Sequence, residues 1–416
     1  MDGAILGVPI VIVIAGVLAL YMAWAIGAND VANAMGTSVG SGALTIKRAV
    51  IVAAIFEFAG AFLAGGHVTD TVRKGILDTS LLTPDQLMWG MLGALASAGT
   101  LLIGATRIGL PVSTTHAIVG SIVGFGSVAV GVDTVEWGRV GLIAVSWLTS
   151  PLLGAVMAFL VFSLVRRLIL NQENPVAAAQ TWGPLFFFMV FFVIAMVTVF
   201  KGLKNLSLDL AFPQAVLAAV AIGGLGAFLG RIFLKRVRLK ADVRPLQNVE
   251  RIFVVLQVLT ACAVAFAHGS NDVANAIGPL AAVVHVVQGA DLTSRAPVEP
   301  WMLIVGGLGI VLGLATWGYR VMETVGKKIT QLTPSSGFAA TLAAAFTVVI
   351  ASRMGIPVST THILVGSVLG VGLARGIGAI DLRVVGRIII SWVLTLPIAA
   401  GLSVFFFFFF KGLLAG

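Results

Sequence analysis

Charged side chains are scarce in this chain. Only 10% of its 416 residues are charged, whereas roughly 25% are charged in an ordinary soluble domain. Cysteine occurs once, as Cys262, which excludes an intrachain disulfide framework and a cysteine-rich metal site. Hydrophobic residues make up 59% of the chain, and the mean hydropathy is +1.07. These values exclude a soluble globular protein.

Apolar runs of about twenty residues recur along the whole length, and each is long enough to cross a bilayer core of about 30 Å. The alternating segments of about ten residues that are typical of a membrane β-barrel are absent from the sequence. The first apolar run, residues 4–26, has no basic segment before it, so we expect a retained helix rather than a signal peptide. The sequence therefore predicts an all-α polytopic membrane protein.

Two six-residue strings each occur twice, in the same order. Asn29-Asp30-Val31-Ala32-Asn33-Ala34 returns as residues 271–276, and Pro111-Val112-Ser113-Thr114-Thr115-His116 returns as residues 357–362. Recurrence of this kind predicts that the chain is a tandem repeat.

The two halves are expected to have inverted topology, because the predicted spans reverse direction an odd number of times between the two motif helices. The apolar segments on either side of Arg107–Pro111 are half-length, which predicts a re-entrant or broken helix at the membrane midplane. Inverted repeats with broken helices are typical of secondary transporters, whose sites lie near the midplane.

The net charge of +9 comes from basic residues in short loops, a pattern that indicates membrane orientation rather than nucleic-acid binding. The densest basic run, residues 231–251, is expected to be cytoplasmic, with both termini outside the cell's inner (plasma) membrane. We expect a first inverted repeat at residues 1–165, linking spans and the basic loop at 166–251, and a second repeat at 252–416.

The first repeated string places a carboxylate and an amide three residues apart, and therefore on one helical face. A carboxylate inside a bilayer is costly and usually implies a partner or a water-filled path, although such a pair can also hold helices together. Hard oxygen ligands, with backbone carbonyls freed by neighbouring glycines, suit Na⁺. The predicted Na⁺ ligands are Asp30, Asn33, Asp272, Asn275, Ala28 and Ser270.

The second repeated string, with Pro followed by Ser and Thr, is typical of a helix N-terminus. Simple capping is one interpretation. Two such N-termini in inverted halves can also point at one central position, where dipoles, free N–H groups and hydroxyls would bind a tetrahedral oxyanion. The predicted anion ligands are Ser113, Thr114, Thr115, Ser359, Thr360 and Thr361, with Asn33 and Asn275 assisting.

Five further residues are candidates for coupling or gating. Glu57 lies within a span and has no repeated counterpart, so we expect a third cation or proton site there. His116 and His362 end the second string and suit either proton relay or packing. Asp70 and Glu323 lie near span ends and suit either gating or solvation at the interface.

The duplicated strings resemble the signature of the inorganic phosphate transporter (PiT) family, and the resemblance spans both halves. It implies phosphate uptake coupled to Na⁺, or to H⁺ in many bacterial members, by an elevator-like or rocking movement. Asp30 and Asp272 correspond to essential aspartates of that family, and Glu57 corresponds to an essential glutamate. The long central loop of the animal members is missing, which implies a compact prokaryotic type.

The resulting hypothesis is a cation-coupled symporter of inorganic phosphate, most simply Na⁺-coupled, with phosphate, Na⁺ and the lipid bilayer as its partners. The alternatives are an H⁺-coupled phosphate or sulfate permease, an ion channel, and an intramembrane hydrolase that would use Ser113 and His116. We expect no enzymatic activity, no cofactor and no nucleic-acid partner. A homodimer is expected only by analogy with the family.

Overall fold

A computed structural model describes residues 4–5, 8–65, 76–199, 211–237, 242–290, 296–353 and 358–414. The described chain is almost entirely helical, apart from a hairpin of two short strands, β1 (Ala4–Ile5) and β2 (Val8–Pro9). The helices are α1 Ile10–Gly40, α2 Ile46–Ala64, α3 Pro84–Arg107, α4 Thr114–Ala129, α5 Trp137–Val165, α6 Pro175–Val197, α7 Phe212–Arg236, α8 Pro245–Val287, α9 Pro300–Thr316, α10 Tyr319–Glu323, α11 Pro334–Arg353, α12 Thr360–Arg375 and α13 Leu382–Leu414.

The apolar composition of these helices makes the chain a multi-pass membrane protein. Within the described ranges, 8 helices are long and apolar enough to cross a membrane, or 9 if the bent pair formed by α9 and residues 319–328 counts as one span. Helices satisfy their own backbone hydrogen bonds, which is the condition for crossing hydrocarbon. The predicted all-α polytopic fold is confirmed.

The two halves pack against each other reciprocally. The first motif helix, α1, packs along α9 of the second half, and the second motif helix, α8, packs along α2 of the first half. In the same way, α5 packs on α12 and α13 packs on α4. These four contacts between the halves thus form two pairs related by exchange of the halves, as two inverted repeats require.

Glycines make the central helix crossings unusually close. A Cβ atom added at Gly27 would lie 1.9 Å from the Ile310 carbonyl oxygen, and one added at Gly269 would lie 2.1 Å from the Glu57 carbonyl oxygen. Small residues let membrane helices approach backbone to backbone, where lipid supplies no hydrophobic driving force. These two matching contacts align Glu57 of the first half with Ile310 of the second.

Each half contains a broken helical hairpin, which we call hairpin 1 (α3 and α4) and hairpin 2 (α11 and α12). Leu77 forms an isolated backbone bridge with Val135, and Thr330 forms one with Ile380, so both ends of each hairpin lie on the same side of the molecule.

The expectation of two half-length arms is wrong for the first arm of hairpin 1. Helix α3 has 24 residues and is long enough to cross a bilayer, whereas α4 has only 16. Hairpin 1 is therefore a full-length helix followed by a short one, because α3 continues through the apolar run to Arg107 before the chain turns.

The glycine crossing leads to a first prediction. Gly27→Ala should destabilise the protein by about 1–3 kcal/mol, because the added methyl group would meet the α9 backbone, which cannot move aside as a side chain would. Thermal unfolding in detergent measures this effect.

Gly16→Ala is the matched control, since Gly16 lies on the same helix and has no atom within 4 Å of its added Cβ. It should be neutral or stabilising by up to about 1 kcal/mol, because alanine is the better helix former. Equal melting temperatures for the two variants would contradict the close crossing.

Candidate functional site

Asp30 is the point at which the two short helices meet. It lies within α1 and is buried. The Thr114 hydroxyl, at the start of α4, donates a short hydrogen bond to its Oδ2 atom. The Thr361 hydroxyl, near the start of α12, donates to its Oδ1 atom at 3.4 Å. The N-termini of α4 and α12, one short helix from each half, thus converge on one carboxylate.

The local sequence explains why the short helices begin at this level. Ser113 and Ser359 are the N-cap residues of α4 and α12, and each accepts the backbone N–H of the histidine three residues later at 3.3 Å. Such caps satisfy amides that a helix start leaves unpaired. Capping by these serines, one of the two interpretations of the repeated string, is therefore observed.

Asn29 fixes the tip of hairpin 1 beside Asp30. Its Nδ2 group donates to the Thr106 hydroxyl at 2.9 Å and to the Leu110 carbonyl at 3.1 Å, and its Oδ1 atom accepts the Val112 amide at 3.1 Å. These bonds pair backbone groups on the non-helical segment between α3 and α4. The first asparagine of the motif therefore positions the hairpin.

Asn33 connects α1 to hairpin 2. Its Nδ2 group donates to the Thr361 hydroxyl at 2.9 Å, and Thr361 also lies 3.4 Å from the Val112 carbonyl. The Oδ1 atom of Asn33 is buried and has no hydrogen-bond partner among the described residues. A cavity of about 40 Å³ adjoins Asn33, His268 and Thr360. This acceptor is therefore available to a ligand or a cation.

A buried histidine connects three carboxylates. The Nε2 atom of His268 lies 2.7 Å from Asp272 and 3.9 Å from Asp30, and its Nδ1 atom lies 3.5 Å from Glu57. All four side chains are at most 3% exposed. Three carboxylates and one imidazole in a low-dielectric interior require protons or bound cations to limit their charge.

The same cluster has the geometry of a cation site. One ligand atom from each of Asp30, His268 and Asp272 lies within 4.8 Å of the others. Carboxylate oxygens suit hard cations, and the carboxylate of Asp272 also accepts the Asn271 amide at 2.9 Å. The arrangement can therefore hold a small cation directly beside the two helix N-termini.

His268 was missed by the sequence reasoning. That reasoning followed repeated residues, and Ile26 occupies the corresponding position four residues before Asp30. A signal was nevertheless present, because His268 precedes Asp272 by four residues and so lies on the same helical face. Glu57, which also has no repeated counterpart, joins the cluster through its carboxylate, which lies 3.5 Å from His268 Nδ1.

The expected non-helical backbone at Ala28 and Ser270 is wrong. Both residues lie in uninterrupted α-helix, within α1 and α8, so their carbonyls accept helical N–H groups. The neighbouring glycines, Gly27 and Gly269, serve close helix packing instead of unwinding. The Ser270 hydroxyl donates to the Ala267 carbonyl of its own helix at 2.8 Å.

His116 and His362 form a second buried cluster, separate from the carboxylates. Their ring centroids lie 4.9 Å apart in an edge-to-face arrangement, and His362 stacks on Trp392 at 3.8 Å. The Trp392 indole donates to the Pro111 carbonyl at 3.0 Å. The two histidines therefore pack against each other near the starts of α4 and α12, where both repeated strings end.

The remaining predicted residues occupy less central positions. Thr115 and Thr360 are half-buried at the starts of α4 and α12, and Asn275 is buried on α8. Glu323 is half-buried at the end of α10, outside the carboxylate cluster. Asp70 lies outside the described residues.

Comparisons with known proteins agree with this architecture. Residues 26–403 match the phosphate transporter family. The chain is 46% identical to a Haemophilus influenzae protein named as a phosphate permease, over 95% of each chain. It is 45% identical to the chloroplastic inorganic phosphate transporter 2-1 of Arabidopsis thaliana, over 95% of this chain and 71% of that protein.

A solved structure has the same fold. It is described as the sodium-dependent phosphate transporter, and it superposes with a TM-score of 0.88 at 39% identity, covering 98% of this chain and 100% of the other. The matching family and this neighbour are transporters rather than enzymes, so the hydrolase alternative is not supported. The duplicated motifs, the inverted repeats and these matches together show that the chain belongs to the phosphate transporter family.

Proposed function

We propose that this phosphate transporter is a Na⁺-coupled symporter that works by alternating access around the site at Asp30. The observation that carries the proposal is the convergence of both short-helix N-termini on Asp30, beside the buried carboxylates. Positive helix ends favour an oxyanion, and carboxylates favour a cation, so the two ligands would be neighbours.

Phosphate would bind at the helix N-termini. The hydroxyls and amides of residues 113–115 and 359–361 offer neutral donors, with Asn33 and Asn275 assisting. No arginine of the described chain lies among them, so the positive charge that balances the anion must come from the helix dipoles and from bound cations.

Na⁺ would bind at Asp30 and Asp272, with Asn33 and Asn275 as amide ligands. The cations would offset the charge of phosphate, so each ion would raise the affinity for the other, and that mutual effect is the physical basis of coupling. The name of the structural neighbour, the sodium-dependent phosphate transporter, supports this choice of ion.

H⁺-coupled uptake is the second candidate, favoured by one observation. His268 lies between Asp272, Asp30 and Glu57, and an imidazole among carboxylates can bind and release a proton during a transport cycle. In that case the same cluster would carry protons in place of Na⁺.

The membrane arrangement belongs to the proposal. If the basic loop 231–251 is cytoplasmic, the order of the helices implies that Lys47, Arg48, Arg166 and Arg167 would also be cytoplasmic and that both termini would lie outside the inner membrane. The repeats would span residues 1–165 and 252–416, joined by the segment 166–251. A homodimer stays an expectation by analogy.

The coupling ion can be measured directly. We expect purified protein in liposomes to accumulate ³²P-phosphate under an inward Na⁺ gradient and not under an H⁺ gradient alone, because Na⁺ bound at Asp30 and Asp272 would offset the charge of phosphate. Excess sulfate should compete weakly. Uptake driven by H⁺ alone would select the second candidate, and abolition by sulfate would contradict specificity for phosphate.

Asp30→Asn should reduce Na⁺-driven phosphate uptake to background. The substitution removes one negative charge from the cation site and places an amide group opposite the Thr114 and Thr361 hydroxyls. Liposome uptake measures the effect, after the variant is shown to fold by gel filtration and thermal unfolding.

Asp78→Asn is the matched control for a lost carboxylate. Asp78 caps an exposed turn, and hydrogen bonds from the Ser80 hydroxyl and amide hold its pKa below the ordinary value, so it is charged in the assay. This variant should transport normally. Substantial Na⁺-driven uptake by Asp30→Asn would refute the proposed cation site.

Thr361→Val tests the bridge between the hairpins. Its hydroxyl contacts Asp30, Asn33 and the Val112 carbonyl. Loss of a buried hydrogen-bonding group costs about 1–3 kcal/mol, so uptake at low phosphate should fall by about five- to 150-fold.

Thr347→Val is the control for this second substitution. Thr347 is also buried, but its hydroxyl donates to the Ala343 carbonyl of its own helix at 2.8 Å. Its uptake should stay within about twofold of wild type, since no contact between helices is lost. Equal effects of the two substitutions would assign Thr361 a purely structural role.

A further inference from the structure

Two arginines lie together at the tip of hairpin 1, and no site assignment above uses them. Arg107 is the last residue of α3 and is exposed, and Arg320 is half-buried in α10. The guanidinium carbons of Arg107 and Arg320 lie 5.5 and 4.9 Å from the centre of one indole ring, that of Trp317. Both cations thus contact one aromatic side chain.

The backbone holds the pair in place. Arg320 donates from Nη1 to the Arg107 carbonyl at 3.2 Å, which satisfies the exposed C-terminal end of α3. Gly109 turns the chain at φ +70°, and a Cβ there would lie 3.3 Å from the Arg320 carbonyl oxygen. The Arg320 guanidinium also lies 5.7 Å from the Tyr319 ring centre. These contacts orient the two guanidiniums before any ligand arrives.

Within the described part of the chain, the pair has no carboxylate partner. Among the described residues, neither guanidinium forms an ion pair with a carboxylate. Arginine stays charged at all physiological pH values, and its planar fork matches the oxygens of a phosphate group. The contacts of the two guanidiniums with Trp317 and of Arg320 with the Arg107 carbonyl leave further N–H groups of both side chains to donate to an oxyanion.

The pair is also close to the central site along the chain. Thr106, the residue before Arg107, accepts the Asn29 amide at 2.9 Å, and Asn29 adjoins Asp30. From Arg107 the chain passes through the turn at Gly109 to Thr114, whose hydroxyl contacts Asp30. One short segment therefore joins the arginine pair to the proposed phosphate ligands.

The sequence repeats one arginine but not the pair. Arg107-Ile108-Gly109-Leu110-Pro111 recurs as Arg353-Met354-Gly355-Ile356-Pro357, so an arginine precedes both short helices. In the register that aligns Gly60 with Gly313, however, Trp317 corresponds to Ala64 and Arg320 to His67. The second repeat therefore provides a tryptophan and a second arginine beside hairpin 1, and the first repeat has neither residue at the equivalent positions.

We propose that Arg107 and Arg320, supported by Trp317, form a peripheral oxyanion site at the mouth of the central site, where phosphate binds transiently on its way to or from the Thr114 end of α4. The proposal rests on the proposed function, in which phosphate binds at the N-termini of α4 and α12. Electrostatic attraction at such a mouth raises the local concentration of an anion and weakens with ionic strength.

Transport kinetics give the first test. Arg107→Gln and Arg320→Gln should each raise the phosphate KM by up to about fivefold, the scale of one exposed charge contact, with Vmax within about twofold. Both variants should also lose most of the salt dependence of KM, and Arg320→Lys should restore part of it. Arg167→Gln, an exposed arginine without these contacts, should behave as wild type.

Direct binding separates this site from the central one. We expect inorganic phosphate to change the tryptophan fluorescence of Thr361→Val protein, in which the central site is impaired, because Trp317 lies against both guanidiniums. The change should disappear in the Arg107→Gln/Arg320→Gln variant and in Trp317→Phe. A change that persists in the double arginine variant would place the bound phosphate elsewhere and overturn the proposal.

The phosphate group of a lipid offers the same chemistry as free phosphate. The titration is therefore run in phosphatidylcholine vesicles with and without phosphatidylglycerol. A response to free phosphate in pure phosphatidylcholine supports the proposal, and a response to phosphatidylglycerol alone overturns it. If wild-type protein transported no phosphate under either gradient, the proposed function would fail while this titration still decided the arginine site.

Discussion

The hydrogen bonds to Asp30 are the constraint on which the centre of this structure depends. A carboxylate buried in a membrane protein must have donors or a cation, and here the donors are hydroxyls at the starts of two short helices from opposite halves. Asp30 therefore contacts both hairpins, and its neighbours Asn29 and Asn33 hold hairpin 1 and hairpin 2 against α1. Any movement of either hairpin therefore changes the environment of the carboxylate.

The helix packing around that carboxylate follows from the membrane environment. Lipid tails are as apolar as leucine, so helices associate through close van der Waals contact at small residues. Gly27 and Gly269 bring α1 against α9 and α8 against α2 at backbone distance. The polar site is thus held between helices that have little freedom to separate, which suits a site whose ligands must be positioned closely.

Repetition made much of this architecture predictable from the sequence. The duplicated strings and the odd number of reversals predicted inverted halves. The Pro-Ser-Thr pattern predicted that short helices start within residues 111–115 and 357–361, and the structure has these starts at Thr114 and Thr360. Convergence of the two starts followed from inversion alone. The resemblance of the motifs predicted membership of the phosphate transporter family, and the family match over residues 26–403 confirms this prediction.

Other features could not be predicted in this way. Repetition shows only what the halves share. His268 has Ile26 as its counterpart in the first repeat, so comparison of the repeats gave no signal for it. Glycine has two uses, unwinding a helix and allowing close approach, and composition does not distinguish them; at Gly27 and Gly269 the second applies. The full length of α3 was also missed. The polar break at Arg107–Pro111 indicates where this helix ends but gives no information on where it begins.

The unmatched residues of the central cluster have a consequence for the energetics of the transport cycle. In a protein built from two identical inverted repeats, exchanging the conformations of the halves would yield the opposite-facing state at equal energy. His268 and Glu57 contact each other in one half-to-half crossing, while Ile26 and Ile310 occupy the corresponding positions in the other. Under the proposed alternating access, symmetry therefore does not require the inward-facing and outward-facing states of this chain to have equal energy, so the unliganded protein is free to favour one side.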